Sequence, residues 1–160
     1  MRLQKRRRRE HKTDYLKRIK LLKSGSPRVV FRKTNKYIIA QYVKSKEAQD
    51  KIEIGVNSKH LTKYGWPRQG NLKSMPASYL IGLLMGKKII KGKKETPIID
   101  FGMIRTLHKT KVYAFLKGLI DAGVKIKYDE SIFPSEDRIK GEHMKNKIPF
   151  DEIKSKIENE

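Results

Sequence analysis

The chain has 160 residues, a formal net charge of +22, 37% hydrophobic content and no cysteine. That length suits one domain with one modest core, and so self-repulsive a charge calls for a polyanionic partner, nucleic acid first. Disulfides, thiolate chemistry and thiolate metal sites are excluded; His11, His60, His108 and His143 are too scattered for a metal centre, and no segment reaches the roughly 20 apolar residues of a membrane span.

The start also lacks the apolar core of a secretory signal, so the chain reads as soluble and cytoplasmic, with no cofactor and no small-molecule substrate. Residues 1–24 carry eleven Lys or Arg against Glu10 and Asp14, including the run Lys5-Arg6-Arg7-Arg8-Arg9. This reads as an arm for RNA or DNA phosphates, against the alternatives of a solvated tail or a targeting signal. Tyr15, Leu16, Ile19 and Leu22 recur at helical spacing, which predicts a short amphipathic helix capped by Thr13 and stopped near Gly25.

Arg28–Val43 has the composition of a basic β-hairpin, with Thr34-Asn35-Lys36 as the polar break. Alternation sends Arg28, Val30 and Arg32 to one face and Val29, Phe31 and Lys33 to the other, so neither face is purely apolar. A plain two-stranded ribbon whose cations keep an edge soluble is the competing reading. Lys44–Asp50 is expected to be a polar connection, and Lys51–Val56 a third strand with Ile52, Ile54 and Val56 on one face. Ser58 is expected to cap a short helix ending at Gly65. The loop Trp66–Asn71 follows, its Trp66 either a core lid or a base-stacking platform.

Ser74 opens the principal apolar helix, with Pro76 in its first turn and Tyr79, Leu80, Leu83, Leu84 and Ile90 along it. Gly82 and Gly86 are expected to allow close packing on a sheet. Pro97–Phe101 suits a buried parallel strand, and Thr110–Ala122 a helix with Val112, Phe115, Leu116, Leu119 and Ile120 on one face and Gly123 at its end. Val124–Lys127 is expected to form a short last strand, and Pro134–Glu142 and Phe150–Glu158 two short helices. The order predicts an α/β fold: a mixed sheet containing an antiparallel three-strand meander, flanking helices, a basic N-terminal arm (1–24), a core (25–130) and a helical C-terminal tail (131–160). The last 27 residues hold six Lys or Arg against seven acids, so the tail suits a protein neighbour as readily as RNA.

Asp100, at a strand end, is the one position that invites a metal-dependent nuclease reading. No second carboxylate points with it from the first three strands, no nucleophile elbow is present, and no glycine loop has phosphate-cradle spacing. The chain is therefore read as a non-enzyme, with no catalytic residues.

Thr13-Asp14-Tyr15, Pro27-Arg28-Val29-Val30, Asn35–Gln41, Tyr64-Gly65-Trp66, Val112–Gly118, Asp121-Ala122-Gly123 and Pro134–His143 fall in one order that resembles the universal large-subunit ribosomal protein number eighteen family, in its archaeal form. The resemblance implies a structural constituent of the large ribosomal subunit that binds 5S rRNA and helps attach it to 23S rRNA in the central protuberance, beside a neighbouring 5S-binding large-subunit protein. It also implies rRNA contacts from Arg6, Arg7, Arg8, Arg9, Lys12 and Tyr15 in the arm, from Arg28, Arg32, Lys33, Asn35, Lys36 and Gln41 in the hairpin, and from Trp66. One departure is Leu72–Tyr79, where the family pattern leads one to expect a shorter joint and Ala in place of Ser78. A general basic nucleic-acid-binding protein is the alternative, separated from the first reading by preference for folded 5S rRNA over duplex DNA.

Overall fold

The computed structural model describes residues 4–47, 49–67, 70–144 and 146–159. The arm opens with α1 (Arg6–Arg9), a single turn of four arginines, and continues with α2 (Tyr15–Lys23). Asp14, not Thr13, caps α2: its carboxylate accepts from the amides of Leu16 at 3.0 Å and Lys17 at 3.2 Å. A carboxylate is the stronger partner for a helix N-terminus, and the Thr13 hydroxyl instead accepts from Arg7 Nε at 2.9 Å.

The hairpin forms as β1 (Arg28–Lys33) and β2 (Ile38–Lys46). Its turn is closed by Thr34, whose amide donates to the Tyr37 carbonyl at 2.8 Å and whose hydroxyl accepts from the Tyr37 amide at 2.9 Å. The expected polar connection after Val43 is instead strand. β2 runs on to Lys46 and β3 (Gln49–Asn57) starts after two intervening residues, with Ser45 opposite Asp50.

The expected single face for Ile52, Ile54 and Val56 also fails. Tyr42 pairs with Ile54 but Val43 pairs with Ile52, so Glu53 is an extra residue, a β-bulge that turns Ile52 onto the opposite face from Ile54. Ile52 is accordingly half exposed while Val56 is buried.

Asn57, not Ser58, caps the 3-10 helix Ser58–Tyr64, because Ser58 is fully buried and its hydroxyl accepts from the Ile38 amide. Trp66 lies in the core at 3% exposure; Arg68 and Gln69 of its loop lie outside the described residues. α3 (Met75–Lys91) starts at Ser74, whose hydroxyl accepts from the Ala77 amide. β4 (Ile98–Asp100) then pairs in parallel with β1, giving the sheet order β3-β2-β1-β4. α4 (Lys111–Asp121) follows.

The glycines of α3 face α4 rather than the sheet. A Cβ on Gly82 would strike the Phe115 carbonyl, and one on Gly118 of α4 would strike the Tyr79 carbonyl, so the two helix backbones approach as closely as hydrogen side chains permit. Ser78 strengthens the same joint, donating to the Lys111 carbonyl at 2.6 Å, a bond that Ala at this position would lack. The expected strand at Val124–Lys127 is absent. Gly123 (φ +101) donates to Ile120 and Val124 donates back to the Leu119 carbonyl, so the segment closes the end of α4 instead of pairing with the sheet.

The tail folds as α5 (Glu136–Lys140) and α6 (Phe150–Glu158). Phe150, Ile153 and Ile157 recur on one face of α6 and join Ile139 in the same apolar cluster as Val29, Phe31, Leu80, Leu84 and Phe115. The result is a mixed α/β fold: α3 and α4 cover one sheet face, α5 and α6 pack against α3, and α2 lies over the other face. Among the described residues no helix is long and apolar enough to cross a membrane.

Candidate nucleic-acid interface

The hairpin register decides where each cation goes. Arg28, Val30, Arg32 and Gln41 share the outer sheet face with Asp100, while Val29, Phe31 and Lys33 share the inner face with Ala40 and Tyr42. Two acids organise the outer face. Arg28 is 2% exposed and donates through Nη2 to Asp50 at 2.8 Å and to the Ser45 hydroxyl at 2.9 Å, while its Nη1 stands 3.6 Å from Asp100. Asp100 also accepts from the Gly102 amide at 2.7 Å and stands 3.6 Å from Arg32 Nη2. Asp100 is thus consumed by structure. Among the described residues no group of three or more metal-ligating side chains gathers.

Asp50 carries the network across to the arm, accepting from Arg18 of α2 at 3.1 Å. Burial pushes its carboxyl pKa up, but the Ser45 hydroxyl and the guanidinium groups of Arg28 and Arg18 outweigh that and leave it below the usual carboxylate value. Lys17 adds a bond to the Gly102 carbonyl at 3.2 Å. These ties hold α2 over the sheet although Leu16 and Ile19 remain exposed on it at 66% and 48%. Between arm and sheet lies a cleft of about 120 Å³ lined by Arg7, Lys12, Lys17, Arg18, Arg28 and Arg32, with Asp14 and Asp100 the only acids among its described lining residues.

Within this setting the expected contacts separate into groups. Arg8 and Arg9 are exposed and make no ion pair among the described residues, whereas Arg6 and Lys12 lie 3.7 and 2.8 Å from Glu10. Lys33, Asn35 and Lys36 are exposed at the hairpin tip, and Arg32 keeps 45% of its side chain open. Gln41 is half-buried on the outer face. Two aromatic faces are already under cations, Tyr15 beneath Lys5 at 4.8 Å and Tyr37 beneath Lys59 at 5.0 Å.

Two residues depart from the expectation. Arg28 stands at the wall of the arm cleft but is 2% exposed and held between Asp50 and Asp100, and Trp66 packs in the core at 3%, so both are far less open than the other expected contacts. Asp50, the acid that joins arm to sheet, lies in a segment expected to be a connection, and no signal in the sequence alone pairs it with Arg28 or Arg18. The structure also gathers Lys33 with Lys73 and Lys111, three cations from distant parts of the chain. Burial first, and then the charges of Lys33 and Lys73, lower the Lys111 pKa.

Comparison with known proteins bears on what this surface meets. A family model described as ribosomal large subunit proteins 60S L5 and 50S L18 matches residues 1–97. The chain is 47% identical over 139 residues to the large ribosomal subunit protein uL18 of Korarchaeum cryptofilum, covering 87% of this chain and 70% of that one. It is 46% identical over 139 residues to the uL18 of Methanoregula boonei, covering 87% and 79%, and 43% identical over 144 residues to that of Methanoculleus marisnigri, covering 90% and 81%.

Proposed function

Because the chain belongs to the family of ribosomal large subunit proteins 60S L5 and 50S L18, we propose that it binds 5S rRNA and helps attach it to 23S rRNA in the central protuberance, beside a second 5S-binding large-subunit protein. As a member of that family it is a structural component of the large ribosomal subunit and not an enzyme. The observation that carries the RNA reading is the cleft in which the arm and the hairpin, separate in sequence, bring Arg7, Lys12 and Arg32 together.

The contacts proposed are Arg6, Arg7, Arg8, Arg9, Lys12 and Tyr15 from the arm and Arg32, Lys33, Asn35, Lys36 and Gln41 from the hairpin. The Lys and Arg among them displace counterions from the RNA and supply salt-dependent affinity. Selectivity comes from matching RNA shape and 2′-hydroxyls to a surface whose geometry the sheet fixes. Arg28 serves this surface indirectly, by fixing Asp50 and Asp100, the acids that bind Arg18 and Arg32.

The test is a titration of the full chain against 5S rRNA at about 0.15 M and at higher monovalent salt, with excess tRNA as competitor. Retention of 5S rRNA under competition is the expected result. Displacement by tRNA in proportion to its concentration would reduce the chain to an unselective polycation and overturn the proposal.

A further inference from the structure

On the inner face, where β1 ends and both α3 and α4 begin, the fold leaves a second cleft of about 380 Å³, within the range of about 300–1,000 Å³ typical of small-molecule sites. Phe31, Met75 and Val112 lie buried beneath it, and Ile104 and the half-exposed Leu107 give it an open apolar wall. Lys33, Arg105, Lys109, Lys111 and Arg138 stand around it, and no acid is among its described lining residues. None of these five cations makes an ion pair among the described residues, in contrast to Arg18, Arg28 and Arg32 on the outer face. The Thr110 hydroxyl donates to the Leu107 carbonyl and leaves the first turn of α4 without a side-chain cap.

We infer that this cleft is a second RNA site, taking one unstacked nucleotide with its base against Ile104 and Leu107 and its flanking phosphates on the cationic rim. The inference rests on the RNA-binding reading above. An apolar slot alone would suit many occupants, and a cationic patch alone would suit any phosphate. A slot ringed by five unpaired cations matches single-stranded nucleic acid, in which a flat apolar face lies between two anions. The lowered pKa of Lys111, set first by burial and then by the charges of Lys33 and Lys73, is consistent, because an arriving anion offsets both causes. The alternation of β1 gives the site its position: Arg32 turns to the arm cleft and Lys33 to this one, so one strand end serves both.

Two variants of the full chain test this, K109Q/K111Q at the cleft and R8Q/R9Q in the arm, each titrated against 5S rRNA over a range of salt. K109Q/K111Q is expected to lower the slope of log K against log salt by about 1.4, at about 0.7 for each single-strand phosphate that is no longer neutralised. If only R8Q/R9Q lowers the slope, the cleft is not a site while the RNA reading stands; if the parent chain itself binds 5S rRNA with no salt dependence, the RNA reading itself falls. The base is tested by methyl NMR of Ile104 and Leu107 with an RNA decamer of adenosines and with its abasic sugar–phosphate counterpart. Shifts with the decamer that vanish with the abasic chain are expected. Equal shifts with both would overturn the nucleotide assignment and leave a phosphate clamp.

Discussion

Replacing Arg28 with Ala tests whether this residue is a strut or a contact. The guanidinium is 3% exposed and is bonded at 2.8 Å to Asp50, with Asp100 at 3.6 Å. Removing one partner of a buried ion pair costs about 3–5 kcal/mol, because the remaining charge stays behind without compensation. Asp50 keeps Arg18 and Ser45 and has 32% of its side chain open to water, which places the loss near the lower end, about 3 kcal/mol. For a chain of this size that corresponds to a melting temperature lower by about 6–12 °C. Urea unfolding followed by fluorescence of the lone, buried Trp66 reads the loss directly. The salt slope of RNA binding should stay unchanged for Arg28→Ala yet fall by about one unit for Arg32→Ala. If Arg28→Ala were within about 1 kcal/mol of the parent and its slope fell by a full unit, the reasoning would be refuted.

Gly118→Ala should destabilise the chain by about 1–3 kcal/mol in urea despite the better helix propensity of Ala, since the new methyl meets the Tyr79 carbonyl; Gly55→Ala, with open space around it, should change little. Asp50 contributes stability that is fully present above its unfolded pKa and disappears as pH falls through the lower folded value. The stability curves of parent and Asp50→Asn should therefore differ at neutral pH and converge in acid, and a constant gap down to strongly acidic pH would show that the carboxylate charge is not what matters. Tyr79→Phe removes the 2.7 Å bond to Asp121 and should cost about 1 kcal/mol in the same unfolding assay; a neutral result would mean that the bond only replaces one to water.

Sequence pattern revealed most of the architecture because most of it is local. Ser74, the spacing along α4, and the Phe150–Glu158 periodicity each predict an element that the structure contains. What escaped was set by partners distant in the chain. The bulge at Glu53 depends on how β2 sits beside β3, and nothing in Lys51–Val56 itself breaks the alternation. Val124–Lys127 has strand-like composition, yet its first amide is used by the end of α4. At the interface, the exposed cations of arm and tip could be read from charge and turn residues alone. Arg28 could not, because its position next to Asp50 and Asp100 arises only when all four strands pair. Lys109, Lys111 and Arg138 were individually ordinary basic residues, and only the folding of α4 and α5 toward the end of β1 brings them to one cleft.

The bulge has a consequence for the chain while it is still free of RNA. β3 and β4 are the two borders of the sheet, and an unpaired border is where a second copy can add itself strand to strand. β4 offers only Ile98–Asp100, too short to template much. β3, at nine residues, would be the danger, but Glu53 interrupts its ladder midway and pairs with Lys94 at 2.9 Å, with Lys51 two residues away. One additional residue thus leaves the longer border kinked and charged, a poor seam for stacking one copy against the next.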